Sequence, residues 1–355
     1  MKGETIEAFL EGLKPLIDKR IEKWIPRKYD EASMRFTLGK PGYENSPVSA
    51  TKSVTEPIWE FLDRGGKRWR PVLLLLVAEA FGAKREEALD LAVIPEVIHN
   101  GTLVADDIED SSGMRRGKPA LHKIFGVDIA INVSNAMYFL PLLAILKNNK
   151  IPDRKARKIY DAVTQEMINV SFGQALDIIW HKGGAPEDIT EKKYLQMCAY
   201  KTGALARLAA KIGAIIADAK DDDIEKVAEF AESIGVAFQI QDDILNIAAD
   251  EKLGKEFGED IREGKRTLLV IHALQDADKT DKKRLPQILD MHTSDPKLLQ
   301  EAINIIKRYN SIEYAKNYAR KIVENSWKKV EKTLAESEAR KRLKMFASFL
   351  IEREF

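Results

Sequence analysis

Helical periodicity is the feature that most limits how this 355-residue chain can fold. Apolar residues recur at intervals of three and four almost throughout, which is typical of amphipathic helices, and strand signals are scarce. A helix is predicted at residues 5–24, and an irregular segment rich in proline and glycine at residues 26–52. The chain is therefore predicted to be all-α, with an N-terminal helix and irregular extension at 1–52 and one all-helical domain at 53–355.

The same periodicity places the longer helices. They are predicted at residues 70–82, 86–112, 127–149, 153–181, 189–219 and 223–250, with a further set in the last ninety residues. Pro141 lies inside the third of these and should kink it, because proline lacks an amide hydrogen and clashes with the preceding turn. No repeat and no long linker divides the chain.

The charge balance and the single cysteine restrict the class of protein. The chain has 57 Lys and Arg against 56 Asp and Glu, and it lacks the basic stripe that is usual in nucleic-acid binders. Cys198 is its one cysteine, which excludes an internal disulfide and is typical of a reducing compartment. The longest apolar stretch, residues 71–78, is much shorter than the roughly 18 residues that a membrane span requires. A cytoplasmic protein with no nucleic-acid partner and no membrane span is predicted.

Three aspartates, Asp106, Asp107 and Asp110, share a narrow arc of one predicted helix. Two ionised carboxylates about 5 Å apart repel by roughly 3 kcal/mol at an effective dielectric near 20, so such a group is stable only in bulk water or around cations. A solvated helix face is the alternative, and Asp221–Asp223 illustrate it at a predicted helix start. The group at Asp106 differs because it ends an apolar segment, residues 91–104.

A second acidic group lies in the sequence GVAFQIQDDILNI. Gln239, Asp242, Asp243 and Asn246 follow one helical stripe, and the residues between them are apolar. Burying such a pair without partners would be unfavourable. Two helices of this kind facing each other would form a cage for hard cations, and Mg²⁺ prefers to bridge carboxylates to phosphate oxygens. The predicted ligand is therefore a diphosphate.

Basic residues that a diphosphate needs occur in three segments. RGGKRWRP supplies Lys67, Arg68 and Arg70 at a helix start, a suitable phosphate site. MRRGKP supplies Arg115 and Arg116, and LGKEFGEDIREGKRT supplies Lys255 and Lys265. Each alone is more often a surface charge. The last segment is not a P-loop, because its glycine-to-lysine spacing is wrong.

Together these segments resemble the trans-prenyltransferase family, the polyprenyl or isoprenyl diphosphate synthases. The similarity covers roughly residues 54–290 and keeps the family's order of motifs: GGKRWRP, DDIED with RRG after it, KTG, FQIQDD, and the lysine pair LGKEFGED and GKRT. Within the family the chain looks closest to geranylgeranyl diphosphate synthases of the eukaryotic type, in part because Ala105 precedes DDIED. Asn246 departs from the family pattern, which more often has a third aspartate there. The resemblance implies a single large helical bundle of the isoprenoid synthase type, with a central cavity between helices.

The resemblance also implies a mechanism. Three Mg²⁺ ions would bind the diphosphate of an allylic substrate (dimethylallyl, geranyl or farnesyl diphosphate). Departure of that diphosphate would leave an allylic cation, which would react with isopentenyl diphosphate. Departing diphosphate would be the base for the final proton, and the enzyme would be a homodimer. The residues implied are metal ligands Asp106, Asp110 and Asp242; outer ligands Asp107, Asp243 and Asn246; allylic diphosphate contacts Arg115, Lys201, Lys255 and Lys265; cation-stabilising groups Lys201, Thr202 and Gln239; and isopentenyl diphosphate contacts Lys67, Arg70, His99 and Arg116.

Product length is expected to follow the depth of the pocket below Asp106. The small residues Gly101 and Thr102 lie just below it, Ile98 lies one turn deeper, and Tyr138 and Phe139 are candidates for the floor. A C20 product is predicted. The alternatives are a longer-chain polyprenyl diphosphate synthase, a class I terpene cyclase, which needs no second diphosphate site, and a non-catalytic regulatory subunit.

Overall fold

The computed structural model describes residues 5–183, 188–248 and 258–351. Within them the helices are α1 (Ile6–Trp24), α2 (Glu31–Leu38), α3 (Pro47–Ala50), α4 (Glu56–Leu62), α5 (Trp69–Ala80), α6 (Arg85–Leu89), α7 (Val93–Glu109), α8 (Leu121–Phe125), α9 (Val127–Phe139), α10 (Leu143–Leu146), α11 (Asp153–His181), α12 (Glu191–Cys198), α13 (Ala204–Ile216), α14 (Asp221–Ala248), α15 (Glu259–Arg262), α16 (Leu268–Asp276), α17 (Lys279–Asp290), α18 (Pro296–Arg308), α19 (Ser311–Val330) and α20 (Glu338–Ile351). A two-stranded antiparallel hairpin joins β1 (Met114–Arg115) to β2 (Lys118–Pro119). The all-α prediction is confirmed.

Most of the predicted helices are present, with local differences. The helix predicted at 153–181 is α11. The helix predicted at 127–149 is broken at Pro141 by a 3₁₀ turn between α9 and α10, so the predicted kink is confirmed. The segment predicted as irregular at 26–52 contains α2 and α3. Asp30 and Ser33 form a reciprocal capping box at the start of α2, which explains a helix that periodicity missed.

The chain divides into two compact units. Unit 1 comprises Met1–Ile159 and Ile212–Asp218, and unit 2 comprises Tyr160–Lys211 and Ala219–Phe355. The predicted boundaries, 1–52 and 53–355, stay a prediction.

In unit 1, α5 is the central helix, because its residues from Val72 to Ala78 are buried on every face. Helix α1 packs against α5 and α7 through one apolar stripe that includes Phe9, Leu13 and Ile17. The N-terminal helix is thus part of the packed core. In unit 2, α14 packs along α19, where the rings of Phe230 and Trp327 lie 5.2 Å apart.

Two helical segments, Arg85–Glu109 and Val127–Leu146, are long and apolar enough to cross a membrane by length and composition. The 18-residue apolar window of the first segment is 72% buried inside the protein, and that of the second is 44% buried. A mostly buried core helix passes the same test, so these segments are weak evidence for a membrane span.

Candidate functional site

The first aspartate group lies where α7 ends. Asp110 caps the helix and donates its backbone amide hydrogen to the carbonyl of Asp106, at 2.9 Å. The side chains of Asp106 and Asp110 are partly exposed, whereas that of Asp107 is fully buried. The helix end therefore presents Asp106 and Asp110 outward and Asp107 inward.

The hairpin after α7 positions Arg115 against this group. Its two-residue turn, Arg116–Gly117, has φ of 52° and 74°, as a type I′ turn requires. The Nε of Arg115 donates to Oδ1 of Asp107 at 2.7 Å, and its Nη2 lies 3.7 Å from Oδ2 of Asp106. Burial raises the pKa of Asp107, while Arg115 opposes that rise. Asp107 therefore orients Arg115.

Three arginines gather around the buried carboxylate of Glu96. Arg68 donates to Glu96 at 2.9 Å and to Asp18 of α1 at 2.8 Å. Arg116 donates to the carbonyl of Gly65 at 2.6 Å and to the side-chain oxygen of Asn100 at 3.0 Å. Since both carboxylates bind Arg68, that arginine has a structural role.

Arg70 differs from Arg68 although it is only two residues away. It is 4% exposed, and its Nε is buried with no hydrogen-bond partner among the residues that the structure describes. Burial lowers the pKa of Arg70 to about 10, with Glu96 opposing and Arg116 adding to the fall. A buried cation of this kind suits an anionic ligand, because a buried charge needs a partner of opposite sign.

His99 lies among the same arginines. Its pKa is lowered well below 6.5, first by burial and then by the positive charges of Arg70 and Arg116. The imidazole is therefore neutral at neutral pH and can donate one hydrogen bond. Lys67, which immediately precedes Arg68 in the sequence, is exposed. The positive charge concentrated here suits a diphosphate.

The predicted chain-length residues lie along α7 and α9. Ile98 is fully buried, and Thr102 donates its hydroxyl to the carbonyl of His99 at 2.8 Å. A Cβ on Gly101 would lie 2.9 Å from Cβ of Met137 and 3.0 Å from the ring of Tyr138. Gly101 thus serves the close packing of α7 on α9.

Tyr138 and Phe139 face different surroundings. The Tyr138 hydroxyl accepts a hydrogen bond from Ser134 at 3.1 Å, and burial raises the pKa of Tyr138. Phe139 is 70% exposed. This burial favours Tyr138 over Phe139 as the floor of a pocket.

In unit 2, the acidic stripe of α14 is held by hydrogen bonds. The side chain of Asp243 accepts from the Tyr194 hydroxyl at 2.5 Å and from Nε2 of Gln239 at 2.9 Å. Burial raises the pKa of Asp243 well above its ordinary value, and Asp260 adds to the rise. Asp242 is partly exposed.

Asn246 makes a structural contact. Its amide oxygen accepts the backbone amide hydrogen of Asp260 at 3.1 Å, at the start of α15. Lys265 lies 3.4 Å from Asp260 and 2.6 Å from Glu263. Lys255 lies outside the described residues.

Lys201 and Thr202 lie in a π-helical turn, Ala199–Gly203, between α12 and α13. The Nζ of Lys201 donates to Asp177 at 2.5 Å, and the Thr202 hydroxyl donates to Oε1 of Gln239 at 2.9 Å. The structure thus brings the predicted residues Thr202 and Gln239 together.

The donor set at the end of α7 fits magnesium. Asp106 and Asp110 offer carboxylate oxygens one helical turn apart. Among the described residues, no group of three or more Asp, Glu, His or Cys side chains could hold a metal ion without further ligands. Mg²⁺ needs few protein ligands, because it keeps waters and binds phosphate oxygens. These residues therefore fit a magnesium–diphosphate pair better than a bare metal ion.

Several supporting residues were not predicted: Glu96, Asp177, Tyr194 and Asp260. Glu96 could have been predicted by the pattern that indicated Asp242, because each is an acidic residue inside an apolar helix. The partners of Asp177 and Tyr194 are distant in sequence, and no local pattern predicts them.

Comparison with known proteins agrees with this geometry. Residues 51–306 match the Polyprenyl synthetase family model. The chain is 38% identical to a geranylgeranyl diphosphate synthase of Sulfolobus acidocaldarius, covering 84% of this chain and 90% of that protein. It is 31% identical to a geranylfarnesyl diphosphate synthase of Natronomonas pharaonis, covering 91% and 97%. The crystal structure of geranylgeranyl pyrophosphate synthetase from Pyrococcus horikoshii superposes with a TM-score of 0.83, at 33% identity and 98% coverage of both chains.

Proposed function

Because the chain belongs to the polyprenyl synthetase family and is a chain-elongating prenyltransferase, we propose that it makes geranylgeranyl diphosphate from isopentenyl diphosphate and an allylic diphosphate. The observation that carries the proposal is the anion site around Arg70 in the same unit as the carboxylates of Asp106 and Asp110. A transferase needs a site for each of two diphosphates.

The carboxylates of Asp106, Asp110 and Asp242 are proposed to bind magnesium together with the allylic diphosphate. Bound magnesium would draw negative charge from the departing diphosphate. Asp107, Asp243 and Asn246 act one step removed, because their side chains are buried and hydrogen-bonded to Arg115, Tyr194 and the amide of Asp260.

Arg115 and Lys201 are proposed to neutralise the remaining charge of the allylic diphosphate, with Lys255 and Lys265. Each of the first two already has a carboxylate partner, Asp107 or Asp177, which fixes its direction. Pre-oriented cations need little reorganisation as charge develops on the leaving group.

The Thr202–Gln239 pair is proposed to face the allylic cation. Gln239 donates to the buried carboxylate of Asp243 and accepts from the hydroxyl of Thr202, so its amide is fixed from both ends. The electronegative oxygens of such a pair stabilise positive charge nearby. Removing one preorganised group of this kind commonly costs about 10²–10³ in rate.

Isopentenyl diphosphate is proposed to bind Lys67, Arg70, His99 and Arg116. The neutral His99 would donate one hydrogen bond to an oxygen while the arginines carry the charge. The diphosphate released from the allylic substrate is the proposed base for the last proton.

We propose a C20 product with its tail along α7 towards Tyr138. The relative from Natronomonas pharaonis is named for a longer product, so a longer-chain synthase is the alternative. A product one isoprene unit longer would need further space beyond Tyr138.

A homodimer is proposed, and α9 supports it. Val127, Ile131 and Phe139 lie on one face of that helix and are 50%, 48% and 70% exposed. An apolar stripe of this kind suits contact with a second copy. Sedimentation of the wild type and of Ile131→Asp tests this: a dimer that becomes monomeric supports it, and a monomeric wild type contradicts it.

Incorporation of labelled isopentenyl diphosphate tests the function. The purified chain should extend farnesyl diphosphate by one labelled unit. A terpene cyclase would consume the allylic substrate without incorporating label, and a non-catalytic subunit would consume neither substrate.

A further inference from the structure

The π-helical turn Ala199–Gly203 is enclosed by two glycines and one buried arginine. Resting on the proposed function, we propose that Gly173, Gly235 and Arg207 are positioning residues that hold this turn. In this account they fix where Lys201 and Thr202 meet the reacting allylic group. All three residues belong to unit 2.

The turn itself is an unusual element. It inserts one extra residue between α12 and α13, in a geometry that is rare and frequently marks functional sites. Its two functional side chains have separate anchors, Asp177 for Lys201 and Gln239 for Thr202. A small shift of the turn would change both contacts together.

Gly173 of α11 lies directly against the backbone of the turn. A Cβ built there would lie 2.7 Å from the carbonyl carbon of Tyr200 and 2.8 Å from Cα of Lys201. Real Cβ atoms essentially never approach other atoms so closely. Because the obstructing atoms are backbone, any side chain here must displace the turn or α11.

Gly235 of α14 encloses the turn through a second contact. A Cβ there would lie 2.7 Å from Cα of Gly203 and 3.2 Å from the carbonyl oxygen of Thr202. Glycine inside a helix costs about 1 kcal/mol relative to alanine. At both positions the absence of a side chain permits backbone contact with the turn.

Arg207 ties the turn to both helices. It donates to the carbonyl of Ala199 at 3.2 Å and to Glu166 of α11 at 3.0 Å and 2.6 Å, and it pairs with Glu232 of α14. Glu166 is 1% exposed. A planar guanidinium can serve these acceptors together, whereas a lysine ammonium cannot match that fork.

Alanine at residue 173 or 235 should therefore lower kcat by about ten- to a hundredfold, the cost of a misplacement near 1 Å. The KM for isopentenyl diphosphate should change less than about twofold on the same reasoning, because its proposed contacts are residues of unit 1. A larger share of the allylic diphosphate should end as prenyl alcohol, since a misplaced turn leaves the cation open to water.

Gly213→Ala is the matched control. A Cβ on Gly213 would lie 2.5 Å from the carbonyl oxygen of Leu74, so the steric conflict is comparable but lies between α13 and α5. This variant should lower Tm and keep the wild-type kcat and alcohol fraction. Arg207→Lys gives a test that introduces no backbone clash, and it should lower kcat without raising the KM for isopentenyl diphosphate.

The experiment measures kcat, the KM for isopentenyl diphosphate, the alcohol fraction and Tm for the wild type and these four variants. The proposal is overturned if Gly213→Ala loses as much kcat as Gly173→Ala and Gly235→Ala, or if Arg207→Lys keeps wild-type kcat. If the glycine variants do not fold, Arg207→Lys decides alone. A wild type that makes no prenyl product would contradict the proposed function instead, so the two failures are distinguishable.

Discussion

Replacing Arg70 by methionine should stabilise the ligand-free protein and weaken the binding of isopentenyl diphosphate. Arg70 is 4% exposed, and its Nε has no hydrogen-bond partner in the described part of the chain. A charge held in this way destabilises the folded state. The proposed isopentenyl diphosphate would supply the anionic partner that this charge needs. Methionine has a similar length and needs no hydration.

The magnitude follows from the pKa of Arg70, which burial lowers from its ordinary value to about 10. At about 1.36 kcal/mol for each pKa unit, the charge costs the folded state roughly 3 kcal/mol at neutral pH. Loss of the cation–π contact with Trp69, at 4.2 Å, offsets about 0.5–2 kcal/mol of this. Arg70→Met is therefore expected to raise the free energy of unfolding by a net amount of about 1–2 kcal/mol. Loss of a charged hydrogen bond to isopentenyl diphosphate, about 1.5–3 kcal/mol, should raise the KM for that substrate about ten- to a hundredfold.

Thermal unfolding with and without inorganic diphosphate measures both effects. The variant should unfold at higher temperature than the wild type alone, and diphosphate should raise its Tm less. Arg68→Met is the matched control, because Arg68 pairs with Glu96 and Asp18. Breaking that buried pair should destabilise the protein by about 3–5 kcal/mol. An Arg70→Met variant that is less stable than the wild type, with an undiminished response to diphosphate, would refute the reasoning.

Three further predictions concern the carboxylates and the pocket. Tyr138→Ala should give a longer product in chromatography, while Phe139→Ala should leave product length unchanged, because Tyr138 is the more buried residue. Unchanged product length in both variants would rule out Tyr138 as the floor of the pocket. Asp107→Asn should lower the free energy of unfolding by about 1–3 kcal/mol, because the buried carboxylate loses its hydrogen bond from the partly exposed Arg115. Asp110→Asn should leave Tm unchanged and raise the Mg²⁺ concentration needed for activity. Equal Tm values for both variants would contradict the inward placement of Asp107. Asn246→Asp should lower Tm in the presence of a chelator, because it adds a negative charge near Asp243 and Asp260. Adding Mg²⁺ should restore the Tm of this variant. A Tm that does not change with Mg²⁺ would place residue 246 away from the metal.

The fold was largely predictable because helical periodicity is a local property. The start of α14 at Asp221 and the break at Pro141 follow from capping and from proline geometry. The short helix α2 was missed because its capping box, rather than an apolar stripe, defines it. The hairpin at 114–119 was missed because Arg-Gly is not a strong signal for a type I′ turn.

The site was predictable in residue type but not in partner. Arg68 and Arg70 occur in one motif, yet one is held by two carboxylates and the other is a buried, lower-pKa cation. That difference depends on Asp18 and Glu96, which no sequence pattern links to either arginine. Gly173 is a similar case. Its lack of a side chain is explained only by its close contact with the backbone of residues 200 and 201, which the sequence does not predict.

In the proposed reaction, carboxylates would hold magnesium, which would stabilise the negative charge on the diphosphate as it leaves the prenyl chain. Mass spectrometry of products from the purified chain, isopentenyl diphosphate and farnesyl diphosphate tests it most directly, first with Mg²⁺ and then with a chelator. A C20 diphosphate that forms with Mg²⁺ and disappears with the chelator is the expected result. Undiminished turnover after the metal has been removed would contradict the account.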